Sequence, residues 1–303
     1  MLSTIAERYI DLHVAVGYRF RDESDLLRNF ARYATAQGDT LVRTETALAW
    51  AAQSPSAGAR RRRLVVVRRF SQRMRLEDPG NELPPPDTFG PRPLQRLPYI
   101  FAPESIRALL DAAASLGPPG SLRPKTYATL FGLLSCTGLR ISEALALRPE
   151  DFSADGLVIR RTKFHKSRLV PLHASCRRAL ESYLVARRQH ACSHTAMFLT
   201  EWSSGLRYTT VASTFLQLVR GMSIHPGPGK RGPRIHDLRH SFAVRSLEQC
   251  TGDRKAVARH MLALSTYLGH GRLSNTYWYL QATPHLLADV ARRSELLATR
   301  GAR

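Results

Sequence analysis

Apolar residues in the first part of the chain recur with the spacing of amphipathic helices. The segments ESDLLRNFARYATAQG (23–38) and TETALAWAAQ (44–53) repeat apolar side chains at i, i+3 and i+4. Gly38 is placed to end the first helix, and Thr44 is placed to begin the second. The pattern predicts a helical domain over residues 1–80.

A proline-rich segment at residues 81–99 interrupts this pattern. Such a composition neither continues a helix nor forms a central strand, so we expect an interdomain linker there. A second domain, residues 100–303, then begins with the amphipathic segment APESIRALLDAAASLG (102–117) and the apolar segment YATLFGLLSCTG (127–138).

Two short segments further on have the character of strands. GLVIRRTK (156–163) and SRLVPL (167–172) are joined by a predicted turn at 164–166. Helical periodicity returns at 173–190 and again after 208. The predicted fold class is therefore mainly α with a small β-hairpin or sheet.

Composition indicates a polyanionic partner. The chain has 303 residues, with 45 Lys and Arg against 24 Asp and Glu, and a formal net charge of +21. Nucleic acid is the most frequent partner of so basic a protein, although an anionic membrane surface or ribosomal RNA would explain the same charge. The N-terminal apolar residues are interrupted by charges, unlike a signal peptide, and Cys136, Cys176, Cys192 and Cys250 form no CxxC pair. We expect a cytoplasmic, nucleoid-associated protein without a disulfide scaffold.

Positive charge is concentrated at GARRRRLVVVRRFSQRMR (58–75), which holds eight arginines and no acid. A solvated basic face around its apolar centre is one interpretation, and a surface that follows DNA phosphates is favoured. A rigid basic loop, GPGKRGPR (227–234), is a second candidate backbone contact. The candidate DNA-binding residues are Arg60, Arg61, Arg62, Arg63, Arg68, Arg69, Lys166 and Lys230.

Candidate chemistry lies in four segments of the second domain, each common when taken alone. They are TGLRISEAL (137–145), RTKFHKSRLVPL (161–172), RIHDLRHSFAVR (234–245) and YLGHGRLSNTYWYL (267–280). In the third, His236 and Arg239 are three positions apart and share one helix face.

Together and in this order, the four segments resemble the signature of the tyrosine recombinases, the family of phage-type integrases and Xer-type resolvases. The resemblance covers residues 100–290. It implies a two-domain architecture, an N-terminal helical core-binding domain followed by an α+β catalytic domain. It also implies that DNA strands are cut and rejoined through a covalent 3′-phosphotyrosyl intermediate without any cofactor.

The resemblance also assigns roles to individual residues. The hairpin lysine falls on Lys163, with Lys166 as the alternative, while Glu143 and Asp237 match supporting acids. Tyr277 and Tyr279 point about 200° apart on a helix, and the family spacing selects Tyr279 as the nucleophile. The implied catalytic residues are Arg140, Lys163, His236, Arg239, His270 and Tyr279.

These residue types suit phosphoryl transfer. Two arginines can hold the non-bridging oxygens of a phosphodiester, on which charge grows in the transition state. Histidines can donate to the same oxygens or accept the proton of the nucleophile. A phenol, with an ordinary pKa of about 10, loses its proton more easily in a cationic pocket. A lysine can protonate the departing 5′-oxygen.

Other interpretations remain open at this point. His236 and His240 have the spacing of a zinc motif, but Asp237 stands where that motif needs glutamate. Type IB topoisomerases use a similar set of residues, and a DNA-binding protein can keep such a fold without cleaving. An extended segment around 250–262 and the aromatics near Tyr279 resemble recombinases of mobile elements, which integrate or excise DNA. The expected partners are a double-stranded recombination site, a homotetramer on synapsed DNA and accessory recombinases, with no membrane.

Overall fold

The computed structural model describes residues 2–18, 20–91, 96–160, 167–190, 194–222, 224, 232–250 and 254–269. The chain divides into two compact units, Met1–Gln95 and Arg96–Arg303. The described residues are mainly helical and include one three-stranded antiparallel sheet. The predicted fold class is therefore confirmed.

The described residues of the first unit form four helices around one core. The indole N–H of Trp50 donates to Asn29 Oδ1 over 2.7 Å, and its ring meets Phe30 edge to face at 5.4 Å. Leu27 and Phe70 are fully buried beside them. The helices are α1 (Leu2–Ala15), α2 (Arg21–Ala36), α3 (Thr44–Ala52) and α4 (Ala57–Met74).

The first part of the expected linker is bound to this unit. The side chain of Asn81 accepts a hydrogen bond from the backbone of Val42 (3.0 Å), and that of Glu82 accepts one from the backbone of Thr44 (2.7 Å). Arg61 on α4 donates to the carbonyl of Phe89 over 3.1 Å. Residues 92–95 lie outside the described residues.

The second unit packs its helices around α6, whose apolar residues Leu130, Phe131 and Leu134 are buried. The ring of Phe131 meets Phe215 edge to face at 5.7 Å. The helices are α5 (Pro103–Ala114), α6 (Arg123–Thr137), α7 (Ile141–Leu145), α8 (Ala174–Gln189), α9 (Tyr208–Gly221), α10 (His236–Glu248) and α11 (Arg254–Leu268).

The sheet has the strand order β1–β2–β3. Strands β2 (Gly156–Ile159) and β3 (Arg168–Val170) lie in the predicted strand segments, whereas β1 (Phe152–Ser153) was not predicted because it is only two residues long. Leu157 pairs with Val170 and Ile159 with Arg168. This register places Arg168 at the end of the sheet.

Helices α10 and α11 form a packed pair. Val244 and Leu247 of α10 are buried against Leu264 and Leu268 of α11. Most of the extended segment around residues 250–262 therefore belongs to α11, and the end of α11 packs beside α10. None of the helices in the described part is both long and apolar enough to cross a membrane.

Candidate active site

A left-handed glycine turn connects α6 to the first arginine motif. Gly138 follows the last residue of α6 with a φ of 61°. A Cβ atom at this position would lie 2.5 Å from the ring of Phe242 and 3.0 Å from Leu268. Glycine is the residue that tolerates both this backbone conformation and this close approach. The turn places Arg140 at the start of α7.

Arg140 is held on two sides. Its Nη1 donates to Glu143 Oε1 over 2.8 Å, and its Nη2 donates to the carbonyl of Gly269 over 2.9 Å. Its backbone N–H also donates to Glu143 Oε2 over 3.0 Å, so the carboxylate caps the start of α7. The side chain remains 34% exposed. Two of its five guanidinium N–H donors are therefore used in setting its orientation, while the group still reaches solvent.

Glu143 lies between two arginines and is only 9% exposed. Arg168, from β3, donates to both carboxylate oxygens over 3.1 and 2.8 Å. Burial alone would raise the pKa of Glu143, but the hydrogen bonds and charge of Arg168, followed by those of Arg140, hold the pKa below its ordinary value. Glu143 is therefore ionised at neutral pH.

Arg239, from α10, is 2% exposed. Its Nη1 donates to the carbonyl of Gly138 over 2.6 Å, and its Nη2 donates to the carbonyl of Leu268 over 2.8 Å. A buried guanidinium needs such partners, because desolvation without them is costly. These bonds join the two arginine motifs of the sequence in one site.

Three arginines bind three successive carbonyl groups at the end of α11, and we call them the arginine clamp. The carbonyls at a helix C-terminus lack partners within the helix and carry partial negative charge, so cations stabilise this end. The next residue in the chain is His270. The clamp pairs are Arg168 with Tyr267 (2.9 Å), Arg239 with Leu268 (2.8 Å) and Arg140 with Gly269 (2.9 Å).

His236 lies at the exposed start of α10, and its ring meets that of His240 edge to face at 4.7 Å. Desolvation of the ring by nearby protein atoms, and then the positive charge of Arg239, lower the pKa of His236 to about 4. The charges of Arg234 and Arg140 act in the same direction, and Asp237 opposes them. His236 is neutral at physiological pH.

The side chain of Asp237 is fully buried and bonded to Arg234. One carboxylate oxygen accepts from the Arg234 backbone over 2.8 Å, and the other accepts from its guanidinium over 3.1 Å. The acid thereby stabilises the turn that leads into α10. Among the residues that the structure describes, no group of three or more metal-ligating side chains is assembled.

Tyr267 is a packing residue. Its ring stacks on Phe242 with a centroid distance of 5.6 Å. Desolvation, and then the neighbouring Cys136 and Cys176, raise the pKa of Tyr267 to about 12. A phenol with a raised pKa is a poor nucleophile, which agrees with the expectation that Tyr267 packs rather than reacts.

Other residues assigned from the sequence lie outside the described residues, and their roles remain predictions. These are Lys163, Lys166, Lys230, His270 and the nucleophile Tyr279.

The arginine-rich segment forms a single helix, α4, and much of its charge is used within the first unit. Arg60 donates to the carbonyl of Ser54 (2.7 Å). Arg63 donates to the carbonyl of Trp50 (3.0 Å) and lies 4.8 Å from the centre of its ring. Arg62 is exposed but paired with Asp22 over 2.8 Å, and Arg68 is half-buried. The exposed Arg69 is thus the better candidate for contact with a partner.

Arg168 was not singled out in the sequence. The signal that could have found it is the alternation of β3, in which Val170 is buried and Leu169 is 48% exposed. Arg168 shares the inward side with Val170, and an arginine on that side needs a charged or polar partner. The alternation could not show that the partner is Glu143.

Comparison with known proteins shows the family to which the chain belongs. The sequence model of the phage integrase family matches residues 100–285. An integrase/recombinase-type protein of Sinorhizobium fredii, y4rB, is 38% identical over 300 residues, which cover 95% of each chain. The tyrosine recombinase XerC of Chromobacterium violaceum is 30% identical over 292 residues, covering 93% of this chain and 91% of the relative.

Solved structures share the fold at low sequence identity. XerH recombinase bound to palindromic difH substrate matches with a TM-score of 0.64 at 17% identity, over 90% of this chain and 79% of that one. The Tn1549 transposon integrase in complex with transposon right end DNA also matches with a TM-score of 0.64, at 16% identity, over 97% and 99%. The chain therefore belongs to the phage integrase family and is a tyrosine recombinase.

Proposed function

We propose that the protein recombines DNA at specific sites through a covalent 3′-phosphotyrosyl intermediate formed by Tyr279. The observation that carries this proposal is the junction of the two arginine motifs, in which Arg239 donates to the carbonyl of Gly138 over 2.6 Å. Both arginines also bind the end of α11, at the carbonyls of Leu268 and Gly269, directly before His270.

The arrangement suits the stabilisation of a phosphoryl transition state. Arg140 is oriented by Glu143 before any substrate arrives, and preorganised donors need no rearrangement during the reaction. His236 is neutral, so it can accept a proton or donate one hydrogen bond. Tyr279 attacks phosphorus, the 5′-oxygen leaves, and Lys163 supplies the proton to that oxygen. Attack by the free 5′-hydroxyl of another strand then releases the tyrosine.

We further propose that the reaction integrates or excises a mobile element, on a synapse of four protomers with the help of accessory recombinases. The similarity to a transposon integrase in complex with transposon-end DNA supports the choice of DNA substrate. The extended segment around residues 250–262, between Arg239 and His270, supports the comparison with mobile-element recombinases. The reaction would take place in the cytoplasm, on the nucleoid.

Strand exchange between two labelled duplexes from the ends of the element or locus that carries this gene tests the proposal. We expect recombinant products of hybrid label, formed in the presence of EDTA. Relaxation of supercoiled plasmid without hybrid products would instead indicate a topoisomerase. Binding without any cleavage would indicate a DNA-binding protein that keeps the fold.

A further inference from the structure

Glu143 accepts four hydrogen bonds, and half of them come from Arg168. Arg140 supplies one from its backbone N–H and one from Nη1, while Arg168 supplies two from its guanidinium. A carboxylate offers about four lone-pair positions, so this set saturates it. Arg168 itself is 15% exposed, and its remaining bond goes from Nε to the carbonyl of Tyr267 over 2.9 Å.

From these contacts we infer that Arg168 is a positioning residue for DNA strand cleavage, acting through Glu143 on Arg140 and through Tyr267 on the segment that carries His270. The inference rests on the proposed function of this site. Arg168 is distinct from the hairpin lysine and from the arginines that the family signature assigns to the phosphate. Its task is to fix the groups that touch the phosphate.

The first part of this role is electrostatic. A carboxylate paired with Arg140 alone would neutralise much of the positive charge that the phosphate needs. Arg168 shares the same carboxylate, so the three groups together retain one net positive charge. Because Glu143 is saturated from both sides, it cannot rotate away and release Arg140.

The second part is geometric. Arg168 fixes the first of the three carbonyls in the arginine clamp, while Arg239 and Arg140 fix the next two. A Cβ atom on Gly269 would lie 2.9 Å from Arg168 Nη1, so the guanidinium packs directly on this backbone. Loss of Arg168 therefore loosens the residue before His270 as well as the partner of Arg140.

The matched control for this role is Arg187, which also clamps backbone carbonyls in the same unit. It donates to the carbonyls of Met197 (3.1 Å), His194 (2.6 Å) and Ala196 (2.8 Å), in contacts separate from the candidate site. Replacing Arg168 by glutamine removes one carbonyl bond and two carboxylate bonds, whereas replacing Arg187 removes three carbonyl bonds, so each change removes one guanidinium and three hydrogen bonds. Only the Arg168 change reaches Glu143.

The test measures single-turnover covalent attachment to a nicked suicide duplex, chosen from a random-sequence duplex library by its binding to the full chain. We expect Arg168→Gln to attach to the duplex about 100-fold more slowly than the wild-type chain, because small misplacements of catalytic groups cause losses of this size. Its Kd for the duplex should be nearly unchanged. Arg187→Gln should attach at the wild-type rate. Arg168→Lys keeps the positive charge but lacks the planar guanidinium, so its attachment rate should lie between those of Arg168→Gln and the wild-type chain. It replaces Arg168→Gln in the test if the glutamine variant does not fold.

A pH profile separates positioning from general loss of structure. Without Arg168, burial raises the pKa of Glu143 with less opposition, since Arg140 is the remaining charged group that faces it among its recorded partners. The attachment rate of Arg168→Gln should therefore begin to fall at a higher pH than the wild-type rate does. The double variant Glu143→Gln with Arg168→Gln should lose this acid dependence and be no slower than the worse single variant.

Two results overturn the inference. Attachment by Arg168→Gln at the wild-type rate excludes the positioning role alone. If the loss of attachment rate in the double variant equals the full sum, in free energy, of the losses in Glu143→Gln and Arg168→Gln, then Arg168 does not act through Glu143. If the wild-type chain attaches to none of the selected duplexes, the proposed function itself fails, and the positioning role fails with it.

Discussion

Arg239 donates a 2.6 Å hydrogen bond to the carbonyl oxygen of Gly138, across 101 positions of sequence. The bond joins the TGLR turn to the HDLR helix and buries the guanidinium almost completely, at 2% exposure. The same side chain also binds Leu268, so one residue connects α6, α10 and the end of α11. The site is therefore part of the core of the second unit, and stability and activity are expected to change together when it is altered.

Arg239→Lys is expected to lower both stability and attachment to DNA. The planar guanidinium of Arg239 reaches the carbonyls of Gly138 and Leu268 at the same time, and a lysine ammonium does not have this geometry. The buried positive charge of the variant would therefore lose hydrogen bonds. We expect a loss of about 2–4 kcal/mol in the free energy of unfolding and a loss of at least about 100-fold in attachment rate. Urea denaturation and single-turnover attachment measure the two effects.

Arg245→Lys provides the control for that change. Arg245 lies on the same helix and donates to the backbone carbonyl of Phe101. Its replacement should lower stability modestly and leave attachment near the wild-type rate. Equal losses of attachment in both variants would contradict the role given to Arg239.

Gly138→Ala is expected to destabilise the protein by about 1–3 kcal/mol, because the new methyl group meets Phe242 and the backbone is left-handed. Gly221→Ala is the matched control, since its Cβ would have no neighbour within 4 Å. That change should be neutral or stabilising by up to about 1 kcal/mol. Chemical denaturation of both variants makes the comparison, and equal stability of both would exclude the tight turn.

His236 should titrate below the ordinary range of histidine. Its pKa is lowered to about 4, against about 6.5 for an unperturbed histidine. The folded state therefore binds its proton less readily than the unfolded state, so the contribution of His236 to stability is complete above about pH 6.5 and declines toward pH 4. NMR titration, with His236→Asn used to assign the signal, measures this directly. A midpoint at or above the ordinary value would contradict the desolvation of the ring and the positive charge of Arg239 beside it.

Arg69, an exposed arginine of α4, should contribute to DNA affinity through a salt-dependent contact. Replacing Arg69 by glutamine should weaken binding and reduce the slope of log K against log salt by about one for the lost phosphate contact. Arg43→Gln, which removes an exposed arginine paired with Glu82 in the same unit, should leave the slope unchanged. Equal slopes for all three proteins would exclude α4 as the phosphate-binding face.

Amphipathic periodicity was sufficient to predict most helices of both units. It predicted the helix that begins at Thr44 and the end of the preceding one near Gly38, whose φ is 84°. It could not predict β1, because two residues carry no period. It also could not separate the arginines of α4 that bind carbonyls, such as Arg60 and Arg63, from those that face solvent, since that choice is made by tertiary contacts.

The sequence motifs predicted a set of candidate site residues, but they could not predict the geometry of the ones that the structure describes. Motif order pointed to Arg140 and Arg239, whereas their common attachment to the end of α11 depends on how α6, α10 and α11 pack. The part played by Arg168 was invisible for the same reason, because its partners Glu143 and Tyr267 are 25 and 99 positions away in sequence.

Tyr279 is proposed to form a covalent bond to DNA, and capture on a nicked suicide duplex detects that bond. The full chain is compared with Tyr279→Phe and with two control variants, Tyr277→Phe and Tyr267→Phe. We predict that the full chain and both controls become attached, that the phosphotyrosine peptide contains Tyr279, and that Tyr279→Phe binds the duplex without attachment. A covalent complex formed by Tyr279→Phe would show that Tyr279 is not the nucleophile.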